Sequence, residues 1–183
     1  MAEAKTYCDF VKQLEKDNVH RIYHDREYGF PLKSDDELFG RLILEINQAG
    51  LSWTTILNKK ENFRSAYSNF SIEKIAKYKT RDINRLLSDA GIIRNKLKVN
   101  AAIFNANRII EIQSEFGSFK KWLDNMHPLP LEDWVKVFKK NFKFTGGEIT
   151  KEFLLSSGYL KGAHVQSCPI FQKALKKKPR WNC

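Results

Sequence analysis

Apolar residues recur at helical spacing through nearly the whole chain, and no segment sustains the every-second-residue alternation of a half-buried strand. An all-α architecture is the one that can bury the apolar surface of these 183 residues. The helix punctuation agrees. Ser34-Asp35-Asp36-Glu37 is a capping box, Ser with Glu three residues on, and it opens a helix directing Leu38, Phe39, Leu42, Ile43 and Ile46 to the core, closed by Gln48-Ala49-Gly50. Ser52 caps a second helix with Trp53, Ile56, Leu57 and Phe63 on one face. Short helices are predicted from Ser71 and Thr80, and a long one from about Asn95 with Val99, Ile103, Ala106 and Ile110 as its stripe. A short helix follows the Glu115-Phe116-Gly117-Ser118 break, and His127-Pro128-Leu129-Pro130 forms a rigid turn. Two further helices, about 131–141 and 148–157, end at Gly158, and the basic tail from Tyr159 reads as irregular. Neither a repeat nor a linker interrupts the pattern, so residues 1–183 are expected to form a single domain.

Composition narrows the function classes. Thirty-two Lys and Arg against twenty-one Asp and Glu give a net charge of +11, which biases the chain toward polyanions, nucleic acid first; solubility alone would also account for it. Three cysteines, Cys8, Cys168 and Cys183, are too few and too far apart for a disulfide framework and suit a reducing compartment. The N-terminus shows no apolar leader region and no apolar run reaches the roughly 20 residues that span a bilayer, so a cytoplasmic protein without membrane contact is expected.

Three features carry chemistry. Glu45 follows Leu38 by seven residues and Leu42 by three, so it points where the apolar stripe points. A carboxylate there is either paired structurally, with a helix N-terminus or a Lys, or lines a cavity that takes a ligand. In the second, Arg85 to Lys96, two amphipathic helices meet at a tight turn containing Gly91, followed by Arg94, Lys96 and Lys98. Such a helix-hairpin-helix grips DNA phosphates through backbone N–H groups and cations, without base specificity; an ordinary helical hairpin with exposed lysines has the same pattern. The third is His164-x3-Cys168 near one end of the chain and Cys8 with His24 near the other, a Cys2His2 set of zinc-ligand types in which His20, one turn from His24, is a rival.

Taken in order, Tyr23-His24-Asp25-x-Glu27-Tyr28-Gly29-x-Pro31, Leu44-Glu45-x-x-Gln48-Ala49-Gly50-Leu51-Ser52-Trp53, Ala90-Gly91-Ile92-Ile93-Arg94, Phe142-Lys143-Phe144-x-Gly146 and His164-Val165-x-x-Cys168 resemble the type I 3-methyladenine DNA glycosylases. The resemblance runs from about Cys8 to Cys168. It implies a bacterial-type, helix-hairpin-helix superfamily enzyme that excises 3-methyladenine from double-stranded alkylated DNA. Such an enzyme would be expected to act as a monomer at the nucleoid, with the hairpin at about 80–113 and a structural zinc tying 1–30 to 159–183. By the same resemblance Glu45 is the pocket carboxylate that hydrogen-bonds the flipped base, Tyr23 its hydroxyl partner and Trp53 the stacking plate. Gln48 and Leu51 fill the gap in the duplex, Gly91, Arg94 and Lys96 hold the backbone, and Cys8, His24, His164 and Cys168 bind Zn2+. Such enzymes lack the superfamily's catalytic Asp after the hairpin, and here Asn100 and Asn105 occupy that stretch with Glu111 the first acid beyond it. That implies a glycosylase without lyase activity.

Several positions depart from the family pattern. The stretch between Trp122 and Phe142 is short, Phe10 and Tyr28 stand where tryptophans are common, and Ile46-Asn47 fill the interior of the Glu45-x-x-Gln48 segment. Glu148 and Lys151 replace the usual Thr and Tyr after Gly146, and a Glu148 that faces the pocket is expected to pair with Lys151 or to alter which base fits. A relative that binds DNA or a modified base with reduced or altered excision is the alternative reading.

Overall fold

The structure, a computed structural model, describes residues 6–183; residues 1–5, part of the N-terminal stretch read above for a leader, lie outside them. Eleven α-helices and two 3-10 turns make up its regular structure, with no strand among the described residues. Two compact units are formed, Met1–Leu32 with Leu154–Cys183, and Lys33–Phe153.

The larger unit is organised on α3 (Asp35–Gln48), entered through the predicted capping box: Ser34 Oγ accepts from the Glu37 N–H at 3.2 Å, and Glu37 Oε2 accepts from the Ser34 N–H at 3.1 Å. All five predicted core positions of this helix are buried. Gly40 lets the Phe70 ring approach it closely. α4 (Trp53–Ala66) starts at Ser52, whose hydroxyl accepts from the Thr55 N–H, and buries Ile56 and Phe63; Trp53 and Leu57 are partly buried. After α5 (Ile72–Ala76) comes α6 (Thr80–Ser88), which takes Thr80 as its first residue, with Lys79 as the cap. α7 (Lys96–Phe116) starts at Asn95 as predicted. Its buried stripe, however, is Val99, Ala102, Ala106, Ile109 and Ile112. Ile103 is only partly buried and Ile110 is exposed, because the helices packed on α7 cover the face that runs through Ala102 and Ile109 instead. α8 (Phe119–Met126) and α9 (Leu131–Asn141) flank the His127–Pro130 turn. The Asp35 carboxylate at the start of α3 also caps α8, accepting from the Phe119 and Lys120 N–H groups at 2.7 and 2.9 Å.

In the smaller unit, α1 (Tyr7–Lys12) packs on α2 (Val19–Arg26). α10 (Gly147–Ser156) runs into it and ends at Gly158, which has the positive φ (+79°) expected of a helix-terminating glycine. The tail is irregular over 159–168, where no helix or strand forms, but not throughout. Pro169 opens α11 (Pro169–Leu175), with Ile170 and Ala174 buried one turn apart, and a 3-10 turn follows at Arg180–Asn182.

Candidate functional site

α1, α2 and the 163–168 loop bring four donor side chains of the smaller unit together. Cys8, His24, His164 and Cys168 are all buried, and their ligand atoms lie within 4.8 Å of one another. His24 Nε2 stands 3.3 Å from Cys8 Sγ, 3.1 Å from His164 Nδ1 and 3.8 Å from Cys168 Sγ; His164 Nδ1 stands 3.8 and 4.0 Å from the two sulfurs. A tetrahedral zinc with Zn–S of about 2.3 Å and Zn–N of about 2.0–2.1 Å has S···N edges of about 3.5 Å and an N···N edge of about 3.3 Å. The donor set therefore matches a four-coordinate thiolate and imidazole site in size and chemistry.

Both imidazoles are held from behind. His24 Nδ1 is 2.7 Å from Asp25 Oδ1, and His164 Nε2 is 2.7 Å from the Tyr28 carbonyl oxygen. Each outer nitrogen is thus the N–H donor and each inner nitrogen keeps its lone pair, the tautomer a metal ligand needs. Burial pushes the Cys8 thiol up to about 11 and His164 down to about 4, so both of these are neutral donors and a dication is what would draw out the Cys8 thiolate. The rival His20 lies outside the cluster, with Nδ1 3.1 Å from the Tyr7 hydroxyl. Beside the cluster, Arg26, Lys173, Lys176 and Lys177 line an open cleft with Asp25 and Phe30. Tyr23, adjacent to His24 on α2, is buried with its ring tilted against Tyr28 at 5.7 Å.

In the larger unit Glu45 is 5% exposed on α3. Arg41, equally buried and one turn earlier, is the only cation that α3 carries, at the i−4 position where side chains are neighbours. A buried carboxylate needs countercharge, and the sequence reading did not single out this nearby cation. Gln48, at the last turn of α3, donates from Nε2 to the Leu51 carbonyl at 2.9 Å; Leu51 is exposed, and Gly50 turns the chain with φ +80°. Trp53, first residue of α4, is partly buried just beyond this turn.

The hairpin between α6 and α7 has a more specific structure than its sequence implied. The Gly91 N–H is bound by Asp89 Oδ1 at 2.7 Å, and Asn95 Oδ1 accepts from the Leu97 and Lys98 N–H groups at 3.0 and 3.2 Å. A phosphate approaching these N–H groups must displace carboxylate or amide acceptors. Arg94 and Lys96 are exposed. Lys98, expected beside them as a third DNA-facing cation, is instead 5% exposed. Its Nζ donates to the Asn47 and Ala49 carbonyls at 2.9 and 2.7 Å, and burial lowers its pKa. The expectation failed because a lysine in a basic run reads as solvated, while its partners are backbone carbonyls some fifty residues away. Asn105, in the stretch that lacks an acid, is structural: its buried amide pairs with both backbone groups of Lys143 at 2.8 and 3.1 Å. Glu148 is largely exposed, with its carboxylate 3.8 Å from Lys151 Nζ one turn on, an ion pair at the surface.

These features define an all-helical protein with a candidate structural metal centre and a buried carboxylate on a central helix. Comparison with known proteins gives the family. Residues 13–136, more than half of the chain, match the methyladenine glycosylase family model. The chain is 33% identical over 180 residues to DNA-3-methyladenine glycosylase 1 of Escherichia coli, covering 88% of this chain and 94% of that one. It is 29% identical over 183 residues to the DNA-3-methyladenine glycosylase of Haemophilus influenzae, covering 90% and 97%. A solved structure of 3-methyladenine DNA glycosylase I from Staphylococcus aureus, described as showing the basis of 3-methyladenine recognition, superposes with a TM-score of 0.80 at 33% identity, over 92% of this chain and 97% of that one. The chain belongs to the methyladenine glycosylase family.

Proposed function

We propose that this protein is a base-excision repair glycosylase that hydrolyses the N-glycosidic bond of 3-methyladenine in alkylated double-stranded DNA. In this reading its two compact units act as one monomeric glycosylase domain in the bacterial cytoplasm, at the nucleoid when engaged. The observation that carries it is the burial of Glu45 on α3 in a chain of this family.

The damaged base must leave the stack before its glycosidic bond can be reached, and a poorly pairing methylated base leaves at the lowest cost. N3-methylation makes the purine cationic. Glu45 supplies a charge-assisted acceptor, Tyr23 a hydroxyl, and Trp53 a face for stacking with cation–π character. The cation weakens its own bond to C1′, so little acid catalysis is needed. Water attacks an oxocarbenium-like C1′ that surrounding negative charge stabilises. Gln48 and Leu51 fill the vacated position in the duplex, while the turn at Gly91 and the side chains of Arg94 and Lys96 hold the backbone. No lyase step is assigned: the one buried lysine among the described residues, Lys98, spends its ammonium on two carbonyls.

Cys8, His24, His164 and Cys168 would hold a structural Zn2+, with Asp25 and the Tyr28 carbonyl orienting the two imidazoles. Such a metal stabilises the fold by joining segments from both ends of the chain.

The test is incubation of the protein with DNA alkylated by a methylnitrosourea, scored for released free bases, for the wild type and Glu45→Gln in parallel. Release of 3-methyladenine by the wild type, greatly reduced in the variant, is the expected result. Wild-type release no greater than buffer removes the enzyme reading and leaves a DNA- or base-binding relative.

A further inference from the structure

The buried ammonium of Lys98 is costly where it stands. It is the third residue of α7, so it lies at the positive end of its own helix, and only 5% of the residue is exposed. What offsets both costs is the opposite terminus of another helix. Nζ donates to the Asn47 and Ala49 carbonyls, among the last backbone acceptors of α3, where the α3 dipole is negative. The carbonyl between them, Gln48, is taken by the Leu51 N–H at 2.7 Å, and the Gln48 side chain returns a bond to the Leu51 carbonyl. Every carbonyl from Asn47 to Ala49 is therefore tied down, and the turn through Gly50 is fixed in one geometry. Four residues before Lys98, and two before it, Arg94 and Lys96 are exposed on the same hairpin arm.

We infer that Lys98 is a positioning residue for base excision, a strut that sets the Gln48–Leu51 turn against the hairpin arm so that engagement of the DNA backbone and filling of the vacated base position occur in register. Resting on the functional reading above, this adds a residue that touches neither base nor phosphate. Its removal loosens the turn, while Glu45, two to four residues upstream of the tied carbonyls on a continuous helix, keeps its place.

The discriminating experiment compares wild type, Lys98→Met, which keeps the buried stem and deletes the ammonium, and Lys98→Arg, which restores a cationic donor. Three readouts are taken: binding of free 3-methyladenine by isothermal titration, single-turnover release from alkylated duplex, and the affinity ratio for a duplex with a tetrahydrofuran abasic site over an undamaged duplex. Lys98→Met is expected to bind the free base within about threefold of wild type, to release it from DNA at least tenfold more slowly, and to lose most of the preference for the abasic duplex. Lys98→Arg should recover part of both losses. Unchanged release and preference in Lys98→Met overturn the proposal. So does a loss of free-base affinity in proportion to the loss of release, which would make Lys98 a general structural residue. Should Lys98→Met fail to fold, Lys98→Gln, a neutral donor of shorter reach, carries the same comparison. Failure of the functional reading itself shows separately, in a wild type that releases no base.

Discussion

His24 turns its two ring nitrogens to opposite tasks: Nδ1 meets the Asp25 carboxylate at 2.7 Å while Nε2 faces Cys8 Sγ at 3.3 Å. The carboxylate fixes the tautomer and raises the basicity of the inner nitrogen. Asp25→Asn removes the charge but keeps an acceptor, and Asp25→Ala removes both. Zinc affinity, measured by competition with a chromophoric chelator, should fall about 10- to 100-fold in Asp25→Ala and less in Asp25→Asn. Equal affinity in all three proteins would deny the carboxylate that role.

Metal content gives a second prediction. Elemental analysis should find one zinc per chain, and Cys8→Ser with Cys168→Ser should abolish it. A structural zinc contributes to folding because the preformed site exists only in the folded chain. Even a contribution of about 3 kcal/mol corresponds to about 6–12 °C in Tm for a chain of this size, so chelation should lower the melting temperature by at least that much. Zinc retained by the double variant would point to other ligands.

The two helical units were legible in the sequence to different degrees. Ser34, Ser52 and Asn95 announced their helices because capping is local chemistry between residues two or three apart. Likewise the four metal-ligand types could be named from spacing, although spacing alone left His20 as a rival to His24 and the choice rested on the resemblance until the fold placed His20 outside the cluster. What escaped was non-local. The stripe of α7 runs through Ala102 and Ile109 rather than Ile103 and Ile110, a packing outcome set by neighbouring helices. α11 hid behind the lysines that follow it, although Pro169 at its first turn and Ile170 with Ala174 four apart were a readable signal. Lys98 escaped because nothing in a basic run says which cation will turn inward.

Salt dependence separates the exposed hairpin cations from the pocket. Deleting a cation that neutralises one phosphate should reduce the slope of log K against log salt by about 0.9. Arg94→Gln and Lys96→Gln should therefore each weaken duplex binding and flatten that slope by about one, with free 3-methyladenine binding unchanged. A variant that alters base affinity and leaves the slope intact would move its residue from backbone grip to pocket.

Gly40 tests how tightly α3 is packed. A Cβ built there would stand 2.6 Å from Phe70 Cδ2 and 2.8 Å from its Cγ, distances that real side chains do not tolerate. Helix propensity alone favours alanine over glycine by about 1 kcal/mol. Overpacking a core costs about 1–3 kcal/mol, and relief here is restricted: Phe70 is 4% exposed and its backbone is itself held at φ +62°. The steric cost should win, so Gly40→Ala is expected to lower unfolding free energy by about 1–2 kcal/mol in urea titrations. Because Glu45 and Gln48 ride on the same helix, excision should fall with it. Phe70→Leu in the Gly40→Ala background should recover part of the stability by opening the space, giving a coupling energy between the two sites. A stabilised Gly40→Ala would mean that Phe70 yields freely and that α3 is held less firmly than its buried face implies.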